Sequence, residues 1–309
     1  MELIRGIHNL RPRHRGCVAT IGNFDGVHLG HQAVLGQLAE KAAKLHLPAL
    51  VIIFEPLPHE FFAAATAPPR LTRLREKLLT LRRFSVDHVL CLRFDARLAG
   101  MRANDFITHI LVEALDVRYL VLGDDFRFGK DREGNFSMLQ AQGRAHGFQV
   151  VNMPTFQVER QRVSSTRIRE ALQRGDLATA EKLLGRPYRL CGRIRRGDRR
   201  GRILGFPTAN LALGWPPPPV KGIFAVRVFG LENKPLNGVA SIGNRPTFNG
   251  TDDRLEVYLL DFKQDIYGRH LQVELLQKLR DEERFESLEA LKKQIEHDVD
   301  AAKQFFGRQ

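Results

Sequence analysis

Apolar positions in the first half of the chain come in short continuous runs, at 18–21 (VATI), 50–54 (LVIIF), 88–92 (HVLCL), 119–122 (YLVL) and 149–153 (QVVNM). Stretches with helical spacing lie between them, near 31–46, 72–84, 103–115 and 136–146. Continuous runs of this kind predict strands buried on both faces. Their alternation with helices predicts a parallel sheet of βαβ units. Sheets of this type bind ligands at the carboxyl ends of their strands.

Residues 164–184 read as two short helices punctuated by Gly175 and Asp176, with Ser/Thr available to cap the first. From about Tyr188 the pattern changes. Runs of β character separated by turns take over: RLCGRI, GIFAVRVF, LNGVASIG, RLEVYLLDF and LQVELLQKL. WPPPP, from Trp215 to Pro219, reads as a rigid polyproline-like connection. The chain ends in an amphipathic pattern carrying Leu288, Leu291, Ile295 and Val299. The expectation is an α/β domain over 1–185 and a small antiparallel β-barrel with a terminal helix over 186–309. No internal repeat is visible.

Composition narrows the class. The chain has 309 residues, 43% of them hydrophobic and 27% charged, as in ordinary globular proteins. No apolar run approaches the roughly 18 to 20 residues a membrane helix needs. The start, MELIRGIHNLRPRHRG, lacks the apolar core of a signal peptide. Cys17, Cys91 and Cys191 are odd in number, far apart and outside any CxxC pair. They read as reduced, which predicts a cytoplasmic protein with no cysteine zinc site. The net charge of +13 suits anionic partners such as phosphorylated metabolites, nucleic acids or anionic membranes. The arginines are mostly dispersed, with one denser run at RIRRGDRRGR, 193–202.

Two common nucleotide motifs are absent. No glycine is followed by another two positions later, which excludes GxGxxG. GDDFRFGKD, 123–131, has the outline of a P-loop, but it has one residue too many between its glycines and carries Asp131 where Ser/Thr is needed. GNFDGVHLGH, 22–31, suits phosphate in another way. Its glycines let a backbone approach an anion closely, and the helix that follows offers unpaired N–H groups at its positive end. Read from these residues alone, His28 and His31 serve as phosphate donors, metal ligands or caps. A metal pair lacks a third ligand at partner spacing.

HLGH after GNFDG resembles the HxGH signature of the nucleotidyltransferase superfamily. VSSTRIR, 163–169, resembles its second signature, ISSTxIR. The resemblance implies a Rossmann-like sheet and an ATP site formed by Gly22, Asn23, Phe24, Asp25 and Gly30. It also implies that His28 and His31 contact phosphates and that Ser164, Ser165, Thr166 and Arg169 hold the β/γ end. Attack at the α-phosphorus expels pyrophosphate. If the nucleophile is a phosphate monoester, it is already largely anionic at neutral pH and needs no general base. Positioning and charge neutralisation then suffice.

FEPLPHEFF, 54–62, and GDDFRFGK, 123–130, each leave a strand end with flat apolar side chains suited to an isoalloxazine ring. Both resemble flavin-binding segments of the bacterial bifunctional riboflavin kinase/FMN adenylyltransferases. The resemblance implies Pro56, Pro58, Phe62, Asp125 and Phe128 as FMN neighbours. Leu57 stands where many relatives carry His, and Ser241 where many carry Asn.

In the second half, LGFPTAN, 204–210, follows the Gly/Arg loop GDRRGR. Taken alone it is either a turn entering a strand or a phosphate loop whose Thr208 and Asn210 offer oxygens to Mg2+. It resembles the PTAN signature of riboflavin kinases, and GVASIGNRPTF, LEVYLLDF and IYGRHLQVELLQKLRDEERF follow that family's order. Glu256 lies on a strand opposite in face to Leu255, Val257 and Leu259, so it is either solvated or functional. The resemblance implies Glu256 as general base, Gly201 and Arg202 at ATP, Thr208 and Asn210 at Mg2+, and Arg280 near the flavin.

The expected function is ATP-dependent phosphorylation of riboflavin to FMN, then adenylylation of FMN to FAD. The expected partners are small molecules, with no nucleic acid and no membrane, and the chain leaves room for weak self-association. Two other readings are an HxGH adenylyltransferase for another phosphorylated metabolite, against which the PTAN segment argues, and a basic nucleic-acid binder, which requires steep salt dependence.

Overall fold

The computed structural model describes residues 1–196, 204–213, 217–247 and 250–308. The whole GDRRGR loop, with Gly201 and Arg202, and Trp215 lie outside the described residues. The chain forms two compact units, Met1–Pro68 with Thr72–Ser164, and Pro69–Leu71 with Ser165–Gln309.

In the first unit six parallel strands form one sheet: β1 (Glu2–Arg5), β2 (Val18–Ile21), β3 (Ala49–Glu55), β4 (His88–Arg93), β5 (Tyr119–Gly123) and β6 (Gln149–Met153). Their order is β1-β4-β3-β2-β5-β6. Successive residues of β3 point to opposite faces, so the run ALVIIF serves two cores. Leu50, Ile52 and Phe54 join one cluster with Ile4, Ala19, Leu90 and Leu120. Ala49, Val51 and Ile53 join another with Val18, Leu35, Val89 and Val121. The crossovers carry α1 (Leu29–Leu45), α2 (Pro58–Phe62), α3 (Leu74–Leu81), α4 (Ala96–Ala99), α5 (Ala103–Asp105) with a π-helical continuation over Phe106–Ala114, and α6 (Phe136–His146). A short hairpin, β7 (Gln157–Val158) and β8 (Gln161–Arg162), follows β6.

The strand order reverses beside β2. The chain runs outward from β2 through β3 to β4, then returns to place β5 on the other side of β2. This makes the carboxyl ends of β2 and β5 a topological switch point, where doubly wound sheets open a crevice for ligands. GNFDGVHLGH leaves β2 there, and GDDFRFGK leaves β5.

The second unit starts with α7 (Ser165–Gln173) and α8 (Leu177–Leu184). Gly175, at φ +75°, ends the first, and Asp176 caps the second through the Thr179 N–H. A closed antiparallel barrel follows, from β9 (Tyr188–Arg195), β10 (Thr208–Ala212), β11 (Gly222–Phe229), β12 (Leu236–Thr247), β13 (Gly250–Leu259) and β14 (His270–Arg280), in the order β10-β13-β12-β11-β14-β9. The terminal helix α9 (Leu288–Gly307) covers one outer face, where Val299 and Ala302 pack with Ile223, Ala225 and Val239.

Several expectations differ in detail. β1 was not expected, because four residues with two charges carry no strand pattern; it forms as an edge on β4. The predicted 72–84 helix begins at Leu74 and ends in a 3₁₀ turn over Arg82–Phe84. The pattern places a boundary near 185, where helices give way to strands. By packing the second compact unit begins at Ser165, with α8 on β9 and β14, and a boundary between activities near 185 is a separate matter. Leu288 is 63% exposed and does not join the buried stripe of α9, which runs through Ile295, Val299 and Ala302.

Candidate active sites

The loop after β2 is held from both sides by the segment that opens α3. Thr72 accepts a hydrogen bond from the Gly26 N–H at 2.9 Å, and its own N–H donates to Asp25 Oδ1 at 3.0 Å. Phe24 and Val27 adopt left-handed backbone angles, φ 46° and 42°. Non-glycine residues hold such angles where surrounding contacts fix them, and these cluster at functional sites. The conformation brings His28 to the N-cap of α1.

His28 Nδ1 accepts the His31 N–H at 3.3 Å. An accepting Nδ1 leaves the ring proton of neutral His28 on Nε2, a donor aimed away from the helix. The two imidazoles stack with centroids 3.7 Å apart, and Phe24 lies against His31 at 5.0 Å. His31 Nδ1 is buried without a hydrogen-bond partner among the described residues. Burial pushes the His28 ring down to about 4, against the pull of Asp25. Burial also sets His31 well below its ordinary value, helped by His28 and Lys77. Both rings are therefore neutral donors at physiological pH.

This carries a consequence for stability. Between pH 6.5 and about 4 the unfolded His28 binds a proton that the folded ring refuses. Stability is then fully present above pH 6.5 and falls as the pH drops toward 4, by on the order of 3 kcal/mol from this group. Urea unfolding of the first unit across that window should show the loss, and His28→Asn should remove His28's share of it.

At the carboxyl ends of β3, β4 and β5 lie the aromatic side chains. Pro56 is exposed, Pro58 opens α2, and Phe62 is 68% exposed. Phe62 clusters with Phe61 and Phe94 at centroid distances of 5.3 to 5.7 Å. Phe128 differs from the others: it is buried in the core beside Phe106, and half-buried Phe126 stacks on it at 5.5 Å. Asp125 is exposed and pairs with Arg162. Ser164 ends the first unit. Ser165 and Thr166 open α7 in the second, where buried Arg169 donates through Nε to the Pro69 carbonyl at 2.7 Å.

The barrel holds the second constellation. Asn210 lies directly across from Glu256, which lies directly across from Ser241 on the next strand. Directly opposed residues share a face, so the three side chains form one polar row. Thr208, two residues before Asn210, donates to Glu256 Oε2 at 3.3 Å. Leu255, Val257 and Leu259 fill the other, buried face, as the alternation predicts. A hydroxyl, an amide and a carboxylate thus meet on the outer face of the barrel.

A family model described as FAD synthetase matches residues 10–167, and one described as riboflavin kinase matches residues 184–306. A bifunctional riboflavin kinase/FMN adenylyltransferase of Escherichia coli (strain K12) is 54% identical over 308 residues, covering 99% of this chain and 98% of that protein. Its namesake from Haemophilus influenzae is 50% identical over 306 residues, covering 99% of each. The chain belongs to the bifunctional riboflavin kinase/FMN adenylyltransferase family. A crystal structure described as a macrolide-efflux protein from Streptococcus pneumoniae also superimposes, with a TM-score of 0.82 and 30% identity over 98% of this chain and 99% of that one. No helix among the described residues is long and apolar enough to cross a membrane.

Within this bifunctional riboflavin kinase/FMN adenylyltransferase fold, Leu57 and Arg280 are each engaged by their own neighbours. Leu57 is fully buried and caps no donor with its side chain, so a His side chain's polar chemistry is missing there. Arg280 makes a two-pronged pair with Asp298 of α9, both bonds 2.8 Å, and donates to the Asp281 carbonyl. Asp298→Ala leaves the half-buried guanidinium with the Asp281 carbonyl alone, and a loss of about 2 kcal/mol is expected in denaturant unfolding of the barrel unit.

The sequence reading missed Thr72, Phe94 and Lys77. Thr72 and Phe94 carry no local signal. Lys77 does: it sits in a helical stripe with Leu74, Leu78 and Leu81, a charge where an apolar residue belongs. One further group, Glu2, His14 and His88, is compact enough to suggest a metal. However, His14 Nδ1 accepts the Arg11 N–H at 3.0 Å, which leaves the proton on Nε2 for Glu2 at 3.2 Å. That nitrogen is a donor, not a ligand, and the group ties the N-terminal strand to its neighbours.

Proposed function

We propose that the barrel transfers the γ-phosphoryl group of ATP to the 5′-hydroxyl of riboflavin, giving FMN and ADP, and that the first unit transfers AMP from a second ATP to FMN, giving FAD and pyrophosphate. The observation that carries the reading is the neutral His28/His31 pair at the first turn of α1, at the switch point of the sheet.

For adenylyl transfer the FMN phosphate is the nucleophile and arrives already ionised. The work left to the protein is to hold the triphosphate in line and to stabilise the charge that grows on the leaving pyrophosphate. His28 Nε2–H, the N–H groups of the first turn of α1 and the glycine-flanked loop supply donors and a positive helix end. Gly22, Asn23, Phe24, Asp25 and Gly30 shape that cradle. The assignment of Ser164, Ser165, Thr166 and Arg169 to the β/γ phosphates rests on their sequence motif. Pro56, Pro58, Phe62 and Asp125 are the flavin-facing group, with exposed Phe61 and Phe62 on half-buried Phe94 as its apolar wall. Phe128 lies in the core behind Phe126, and its place near the flavin rests on the resemblance.

For phosphoryl transfer the nucleophile is a weakly acidic alcohol that must lose its proton. Glu256 accepts it, and the Thr208 hydroxyl orients the carboxylate. Thr208 and Asn210 supply hard oxygen donors that fit Mg2+. Bound there, the cation would neutralise charge on the β- and γ-phosphates. Gly201, Arg202 and Arg280 remain family-based assignments, Arg280 with its guanidinium already committed to Asp298.

The test is a time course with riboflavin, ATP and Mg2+, with flavins separated by chromatography. FMN appears first and FAD follows, with pyrophosphate. Absence of both flavin products overturns the reading.

A further inference from the structure

We propose that Lys77 is a positioning residue for adenylyl transfer, its buried ammonium holding the Asn23–Phe24 peptide of the phosphate cradle in its working orientation. Lys77 is fully buried on α3, and Nζ donates to the Asn23 carbonyl at 2.6 Å. Burying an ammonium is costly unless it is well paired, and an apolar side chain at that place would complete the stripe of Leu74, Leu78 and Leu81. The ammonium stands where packing alone would set an apolar side chain.

The geometry says what the charge does. A trans peptide carries its C=O and N–H on opposite sides. Fixing the Asn23 carbonyl on Lys77 therefore turns the Phe24 N–H to the other side of the loop, where it can donate to a phosphate. Phe24 then takes its left-handed angle, and its ring lies against His31. Thr72, five residues before Lys77 and opening the same helix, holds Asp25 and Gly26. One segment thus grips both ends of the cradle. The ammonium also acts on His31 through space. The groups facing His31 are His28, stacked on it, and Lys77; Asp25, Arg162 and Asp125 act on His28. Lys77 keeps a second positive charge off the histidine pair, so that both rings stay neutral donors. Lys77 acts through the Asn23 carbonyl and through its charge on His31.

This inference rests on the assignment of the cradle to ATP, and the experiment separates the two. Lys77→Met and Lys77→Gln are made in the full chain. FMN adenylylation and riboflavin phosphorylation are measured on the same samples, with unfolding curves to show that the first unit is folded. The histidine rings are followed by 15N NMR against pH. A 1 Å misplacement of a reacting group costs about 100-fold, and a loss of that size in adenylylation is expected, seen in kcat more than in the KM for FMN. Riboflavin phosphorylation is expected unchanged. His31 is expected to titrate at higher pH once the cation is gone, which a purely structural lysine would not cause. Lys77→Arg, which keeps the charge, is expected to retain more activity than Lys77→Gln at equal stability. Unchanged adenylylation in a folded Lys77→Met protein overturns the proposal. So does an unmoved His31 titration, or an equal loss in Lys77→Arg and Lys77→Gln. If Lys77→Met fails to fold, Lys77→Gln and Lys77→Arg decide by the same criteria. Should His31→Ala keep full adenylylation, the assignment of the cradle itself fails, independently of Lys77.

Discussion

His28→Ala is expected to lower FMN adenylylation about 100- to 1000-fold, the usual cost of removing one preorganised donor to developing charge, while riboflavin phosphorylation continues. His28 Nδ1 is committed to the His31 N–H, so Nε2 carries the proton and is the donor that phosphate would meet. The variant also loses the cap of α1, worth about 1 kcal/mol. That smaller effect appears in an unfolding curve and is too small to account for the catalytic loss. Steady-state assays with supplied FMN, and separately with riboflavin, check both halves. Retained adenylylation would remove His28 from the reaction.

Glu256→Gln is expected to do the converse. The carboxylate lies in a row with Asn210 and Ser241 and accepts from Thr208. Glutamine keeps the shape and an acceptor but has far too little basicity to take the proton of an alcohol. General-base removal typically costs about 100- to 10,000-fold, and riboflavin phosphorylation should fall within that range. Supplied FMN should still become FAD at the original rate. Equal loss of both activities would show that Glu256 acts on folding and not on proton transfer.

How much of this was legible in the sequence depends on the element. The run ALVIIF announces a strand buried on both faces, and its residues do divide between two cores. The barrel strands carry the same clarity, with Leu255, Val257 and Leu259 buried beneath Glu256. β1 was hidden because an edge strand of four residues takes its order from its partner, not from its own pattern. The start of the second compact unit was hidden for a related reason. The change of style near 185 is a change of secondary structure, whereas α8 joins the barrel unit through packing that no local pattern records.

In the sites, motifs located GNFDGVHLGH and the PTAN strand, but they said nothing of tautomers. The donor on His28 follows only from the cap bond it makes. Phe128 and Phe62 look alike in sequence, yet one is core and the other is 68% exposed. Arg280, which the resemblance places near the flavin, has its guanidinium held by Asp298, a partner on the last helix that spacing cannot reveal. Lys77 left a signal in plain view, a cation on an apolar stripe, whose meaning came only with the Asn23 carbonyl beside it.

The central claim is that two separate sites on one chain act in sequence through FMN. The most direct measurement combines the two variants. His28→Ala and Glu256→Gln are each given riboflavin, ATP and Mg2+ alone, then mixed. Alone, the first should stop at FMN and the second should leave riboflavin unchanged; together they should form FAD. FAD from either variant alone at the original rate, or none from the mixture, would contradict the account.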